Sequence, residues 1–301
     1  MNRSLAAGVL LLIMLLITAI AAPYLPFVDT SLKEHVMMKH EDGSFTLPPF
    51  EPSKQFPIGS DQKGVDLLSR LLLGTKETLL TVLGIALMRY ILAIPLGVGS
   101  FYFKPARYVL TIWNRLFSYM PPIFFLALLM GFPFIVFSND RILWFMVVIA
   151  LVDVGRVADI FYNTLVGISK KPYVESGVVS GCSKWKMLRT YYWPPLQPHV
   201  LIQFFSDIGR ILFLIAQLGV VKIYITFKFV SQLGGGYDAV NTSNAWPTFF
   251  ANILEHIWSH AWIPFTGVIA IALTIFTFSL ISSGLQQFFD RKFKRYQGMD
   301  L

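Results

Sequence analysis

Residues 173–199 read YVESGVVSGCSKWKMLRTYYWPPLQPH, a polar and basic island set between long apolar runs. A few residues suffice to turn a chain from one helix into the next, so a connection of this length is expected to be read by something outside the bilayer. Its local chemistry predicts two short helices. Pro172 suits a first helical turn, and Glu175 near that N-terminus complements the helix dipole. Gly181 permits a bend, and Ser183 is placed to cap a second helix carrying Lys184, Lys186 and Arg189. Two helices held at a fixed angle make a lever. The competing reading is a solvated basic loop flanking the membrane.

Outward from the island, the chain is 55% hydrophobic and 14% charged, with a mean hydropathy of +0.60. Soluble domains carry about a quarter charged residues. The apolar residues fall in blocks long enough to span a bilayer, which predicts an all-α membrane protein. Six spans are expected, at about 5–26, 77–103, 117–138, 142–166, 196–222 and 262–287, each near the ~20 residues a bilayer requires. Pro121 and Pro122 are expected to kink the third. Ala19-Ile20-Ala21 resembles a signal-peptidase site, but the preceding apolar run is long for a signal peptide and is read as an uncleaved first span.

The net charge is +8, yet the basic residues sit at the ends of apolar runs rather than in a stripe that would suit nucleic acid. Lys104, Arg107 and Arg115 lie in one connection, Lys170, Lys171, Lys184, Lys186 and Arg189 in another, and Arg291, Lys292, Lys294 and Arg295 in the tail. The remaining connections are balanced in charge. That asymmetry predicts both termini on the cytoplasmic side. The single cysteine, Cys182, has no intramolecular partner and no metal-ligand neighbour at a useful spacing.

The expected organisation is an N-terminal helix (1–26), an extracytoplasmic segment (27–76), a core (77–288) with the lever at 172–192 and an external loop at 223–261, and a cytoplasmic tail (289–301). Within 27–76, Thr30–Lys54 lacks periodicity. Leu67, Leu68, Leu71 and Leu72 have helical spacing, which predicts a separate short helix over Val65–Leu73 lying on the membrane surface, with Asp66, Ser69 and Arg70 on its polar face. Asp61 is placed to cap a turn ahead of it, and Gly59 and Gly64 allow tight backbone there. Gly234-Gly235-Gly236 and Asn241-Thr242-Ser243 read as a flexible loop.

Two motifs carry a family resemblance. In the island, Glu175 is followed by the small residues Ser176 and Gly177, then by Gly181 six positions on and by Pro194, Pro195 and Pro198. The second motif is PIGSDQKGVDLLSRLLLG at 57–74. Together they resemble the permease subunits of oligopeptide, dipeptide and nickel ATP-binding-cassette importers, of the kind with an N-terminal span and an external motif. Gly59, Asp61, Gly64, Asp66, Ser69, Arg70 and Gly74 match that family; Val65 stands for its arginine and Ser60 for its threonine. Ser176 and Gly177 replace two alanines, and the family's leucine- and glycine-rich end of the fifth helix is not found in Leu218–Phe227.

The resemblance implies a type I importer fold of six membrane helices. It also implies coupling to an ATPase through Tyr173, Glu175, Gly177, Gly181, Trp185 and Lys186. It further implies a second homologous permease, two cytoplasmic ATPase subunits that bind the ATP, an extracytoplasmic solute-binding protein, and a peptide or related small solute as cargo, with a nickel or metal chelate as the alternative. The departures bear on the cargo.

Six ionisable residues fall inside spans: Arg89, Asp153, Arg156, Asp159, Asp207 and Arg210. Such residues usually face protein or water. Asp153–Arg156, Arg156–Asp159 and Asp207–Arg210 have the i,i+3 spacing of pairs within one helix. They are read as holding the bundle together or as lining a path. No glycine-rich phosphate loop ending in Lys-Ser/Thr occurs, so no cofactor is expected on this chain. His256 and His260 lack a metalloprotease arrangement, and no metal is expected. The rivals are an intramembrane hydrolase using Asp153 and Asp207, and a non-transporting sensor with the same fold.

Overall fold

The computed structural model describes residues 2–39, 45–231 and 235–297. The helices are α1 Arg3–Ala21, α2 Leu67–Tyr102, α3 Lys104–Ser118, α4 Pro122–Met130, α5 Pro133–Val136, α6 Arg141–Val152, α7 Val154–Ser169, α8 Pro172–Val179, α9 Lys184–Met187, α10 Trp193–Val220, α11 Ile253–Ser259 and α12 Trp262–Gln297. Two antiparallel hairpins pair β1 Met38–Lys39 with β2 Phe45–Thr46, and β3 Phe227–Ser231 with β4 Tyr237–Asn241. A π-helical turn, Leu188–Tyr192, joins α9 to α10.

Among the described residues four stretches are long and apolar enough to cross a membrane: α1, α2, α12, and the run from α9 through α10. The α3–α4 pair, bent by 90° at its break, makes a fifth if it is one span. Pro122 opens α4, where its missing N–H is harmless and its ring stops α3 from running on. The stretch 142–166, read as one span, is divided between α6 and α7 at Asp153.

Helices approach closely where glycine permits it. A Cβ on Gly284 of α12 would lie 2.6 Å from the Leu5 backbone of α1, and one on Gly97 of α2 would lie 2.7 Å from Ala158 O of α7. Small residues at such crossings let backbones pack where lipid gives no hydrophobic drive. Two apolar cores result. One gathers Leu67, Ile85, Phe145, Ile149, Ile211 and Phe249 toward the β3–β4 end. The other gathers Tyr90, Leu110, Phe161 and Leu165 with Val174 of α8 and Met187 of α9. Leu10, Ile13, Met14, Ile17 and Ile20 are exposed on α1, a face suited to lipid.

Three expectations are corrected. The separate surface helix over Val65–Leu73 does not exist: α2 runs unbroken from Leu67 to Tyr102, and the boundary drawn at 76/77 falls inside it. Lys76-Glu77 looks like the polar end of a short helix. Glu77 is in fact held by protein, accepting hydrogen bonds from Ser243 Oγ at 2.6 Å and from Asn244 N at 2.9 Å. The connection bearing Lys104, Arg107 and Arg115 is the helix α3, whose Leu110 is fully buried. The loop 223–261 is largely built, with β3–β4 turning near Gly235 and a 3-10 turn at Trp246–Phe250 before α11. Gly234 and Asp300 lie outside the described residues. Within Thr30–Lys54 the described residues, 30–39 and 45–54, are irregular apart from the two-residue strands, residues 40–44 lie outside the described residues, and α12 carries the tail as helix through Gln297.

Candidate functional site

Four charged side chains meet inside the bundle. Arg89 of α2 is wholly buried. Its Nη1 donates to Asp153 Oδ2 at 3.1 Å and to Asp207 Oδ2 at 2.8 Å, and its Nη2 donates to Ile149 O at 2.8 Å. Arg156 of α7 closes the square, donating from Nε to both Asp153 oxygens at 2.9 and 3.0 Å, from Nη2 to Asp153 Oδ2 at 2.8 Å, and to Asp207 Oδ1. Two cations and two anions sum to zero, the condition under which charges persist in a dry interior. The helix break makes the site. At the α6–α7 junction the Asp153 N–H turns to Leu151 O, and the Ile149 carbonyl accepts from Arg89 instead.

The pairing differs from the sequence expectation. Asp153 and Arg156 do pair at i,i+3, with Asp153 at the break just ahead of α7, but Asp207 turns away from Arg210 to bridge α10 to α2 and α7. Asp159 pairs with Arg107 of α3 at 2.6 Å, not with Arg156, and the Arg107 guanidinium lies 3.8 Å from the centroid of the Tyr162 ring. Asp153 and Asp207, the carboxylates of the hydrolase alternative, are thus both committed to guanidinium contacts. Arg107 was counted only as a loop cation; its i,i+3 or i,i+4 neighbours gave no sign of Asp159.

The lever is built as its residues dictate. Pro172 stands at the start of α8, and Glu175 is in its first turn. Gly181 has φ +70°. Its N–H bonds Val178 O at 3.0 Å while the Cys182 N–H bonds Gly177 O at 3.2 Å, the Schellman pattern that ends a helix in a left-handed residue. Ser183 then caps α9, accepting from Lys186 N. Gly177 is needed for packing: a Cβ there would meet Tyr191 at 2.8 Å and Met187 at 2.9 Å. Val174 and Met187 seat the unit on the bundle, whereas Val178, Val179 and Trp185 are 63%, 88% and 70% exposed, beside exposed Glu175 and Tyr173. At the end of α2, Tyr102 Oη donates to Lys184 O at 3.4 Å.

The external motif folds on itself and onto the 223–261 region. Asp61 Oδ1 accepts from Lys63 N and Val65 N, both at 2.9 Å, the local turn expected of it. Gly59 and Gly64 have φ of +90° and +75°. A Cβ on Gly64 would lie 2.1 Å from His35 O. Asp66 caps α2 through Ser69 N, and Ser69 Oγ in turn accepts from Asp29 N. Arg70 is not on a solvent face. It donates to Asp61 Oδ2 at 2.6 Å and Thr248 Oγ1 at 2.9 Å and stacks over Phe249. Asp61, Lys63, Arg70, Tyr224, Asp238 and His256 line a cavity of about 530 Å³. Burial pushes the His256 pKa down, and its Nδ1 has no partner. Among the described residues no group of three or more His, Cys, Asp or Glu is placed to hold a metal.

A second cavity, about 650 Å³, opens between α10 and α12 and is lined by Asp153, Ser206, Arg210, Gln217, Ser279 and Gln286 together with Pro121 and Pro122. The serines and glutamines escaped the sequence reading; on α12 the recurrence of Ser279, Ser282, Ser283 and Gln286 at helical spacing in an otherwise apolar run is the signal that could have found that side of the cavity.

A bundle of membrane-length helices around a neutral four-charge cluster, with a two-helix unit exposed on it, points to the class of membrane permeases. Residues 90–295 match the family described as binding-protein-dependent transport system inner membrane component, and the chain belongs to that family. It is a multi-pass inner-membrane protein and a permease subunit of an ATP-binding-cassette importer. It is 23% identical over 244 residues to the probable D,D-dipeptide transport system permease protein DdpC of Escherichia coli (strain K12), covering 80% of this chain and 75% of that one. It is 22% identical to the glutathione transport system permease protein GsiD of Pectobacterium atrosepticum (81% and 75% covered). It is 23% identical to the dipeptide transport system permease protein DppC of Bacillus subtilis (strain 168), with 98% and 83% covered.

Proposed function

We propose that this permease imports peptides, with both termini cytoplasmic, in a complex with a homologous permease, two ATPase subunits and an external solute-binding protein. The observation that carries the reading is the α8–α9 unit. Its buried face, Val174 and Met187, is continuous with a bundle core, while its free face presents Tyr173, Glu175, Val178, Val179 and Trp185. Exposed apolar side chains around a carboxylate are suited to a partner's groove. Seated so firmly, the unit moves with the bundle, and ATPase closure drives alternating access. Cargo arrives from a protein docked over the Asp61–Arg70 motif and the β3–β4 hairpin, which adjoin one cavity. The cargo class is supported by the dipeptide and glutathione permeases that the chain resembles.

The test is co-purification of the ATPase subunits, with peptide uptake, for Trp185→Ala and Glu175→Lys in the reconstituted complex. Both variants are expected to lose ATPase and uptake. The dipole effect of Glu175→Lys alone is about 0.3–1 kcal/mol, less than about sixfold in affinity, so a larger loss assigns the effect to the partner contact. Parent-like assembly and uptake in both variants would overturn the coupling role.

A further inference from the structure

We infer that Arg210 binds the carboxylate of the cargo, which makes the cavity between α10 and α12 a subsite for carboxylate-terminated peptides. The inference rests on the importer reading above and narrows its substrate class.

Arg210 lies well inside the membrane. Ten residues of α10 follow it, the last being Val220, about 15 Å at ~1.5 Å per residue. An arginine at such depth is costly unless it meets an anion or water. The other deep charges, Arg89, Asp153, Arg156 and Asp207, cancel one another. Arg210 does not share in this: Asp207, three residues earlier, is taken by Arg89 and Arg156, and Arg210 has no hydrogen-bond or ion-pair partner among the described residues. It is exposed, and it faces the cavity.

The surroundings fit a peptide. Ser206 and Gln217 on α10 face Ser279 and Gln286 on α12 across the cavity, and none of the four has a side-chain hydrogen bond among the described residues. They offer donors and acceptors to backbone amides, while the arginine offers a charge-assisted fork to a carboxylate. Phe213 and Ile275 supply apolar wall. From Ser206 to Gln217 the stripe is about 17 Å long, the length of about five extended residues. The only acid on the lining is Asp153, whose oxygens already hold two guanidiniums, so the cavity presents net positive charge. A lipid tail there would leave five polar side chains unsatisfied.

The experiment uses the four-subunit importer with its binding protein in proteoliposomes. Uptake of trialanine and of its C-terminal amide is measured at saturating concentration for the parent, Arg210→Lys and Arg210→Gln, alongside co-purification of the partner permease. Arg210→Gln is expected to lower trialanine uptake about tenfold or more, as loss of a charge-assisted contact does, without lowering that of the amide. Arg210→Lys should restore most of the trialanine rate. An equal fall for both peptides, or no fall, would overturn the assignment. Loss of the partner permease from Arg210→Gln would also overturn it, placing the cation against an acid of that subunit. A parent that carries neither peptide refutes the peptide reading itself.

Discussion

Replacing Arg89 with methionine removes one cation from a cluster of two arginines and two aspartates. Methionine fills most of the volume, so the effect is electrostatic. The side chain is fully buried and makes three hydrogen bonds, two of them to carboxylates. Its loss leaves Arg156 to balance both Asp153 and Asp207, and Asp207 is itself wholly buried. Breaking a buried ion pair from one side costs about 3–5 kcal/mol, a factor of about 10²–10³ or more in the folded population. The assay is the fraction of monodisperse protein in detergent after heating across a temperature series. Arg89→Met should aggregate at markedly lower temperature than the parent, and adding Asp207→Asn should recover part of the loss by restoring neutrality. Arg210→Met, which breaks no pair, should stay within about 0.5 kcal/mol of the parent. Parent-like melting of Arg89→Met, or a double variant worse than the sum of its parts, would refute the account of the cluster as a neutral, interlocked unit.

Two further outcomes are expected. Gly64→Ala forces a Cβ to within 2.1 Å of His35 O at a φ of +75°, so the 57–66 turn should open and be cleaved faster in limited proteolysis, while the transmembrane core stays protected. His256 has its pKa lowered by burial, with His260 adding to the lowering and Glu255 and Asp61 opposing it. The fold therefore favours the neutral ring, and stability should fall as pH drops below the unfolded value of about 6.5. Subtracting the melting curve of His256→Gln isolates this slope, and identical pH profiles for parent and variant would refute it.

The lever was legible because its determinants are local. Pro172, Gly181 and Ser183 act on their immediate neighbours, so spacing alone specified two helices and the bend between them. The charged cluster was only half legible. An aspartate at i and an arginine at i+3 fit an intrahelical pair equally well whether or not another helix offers a better partner. Asp207 is decided by the rotation of α10 against α2, a property of packing. The length of α2 was hidden for the same reason: Glu77 reads as a stop until Ser243 and Asn244, far along the chain, are seen to satisfy it. The β3–β4 hairpin was only half available: FKFVS is rich in aromatic and β-branched residues, but YDAVN carries Asp, Ala and Asn, which strands disfavour. The glycines drew the reading to the turn.

The unbroken α2 has a thermodynamic consequence. Over about 54 Å, this one helix holds Arg70 against Asp61, Arg89 within the central cluster and Tyr102 against the α9 backbone, with Pro95 the only proline along it. Its position is thus a coordinate shared by three regions that sequence distance keeps apart. A protein that docks outside and prefers one position of α2 changes, by some factor, the affinity of whatever grips α8 and α9. Reciprocity of linked equilibria then requires the inner partner to change the outer affinity by that same factor.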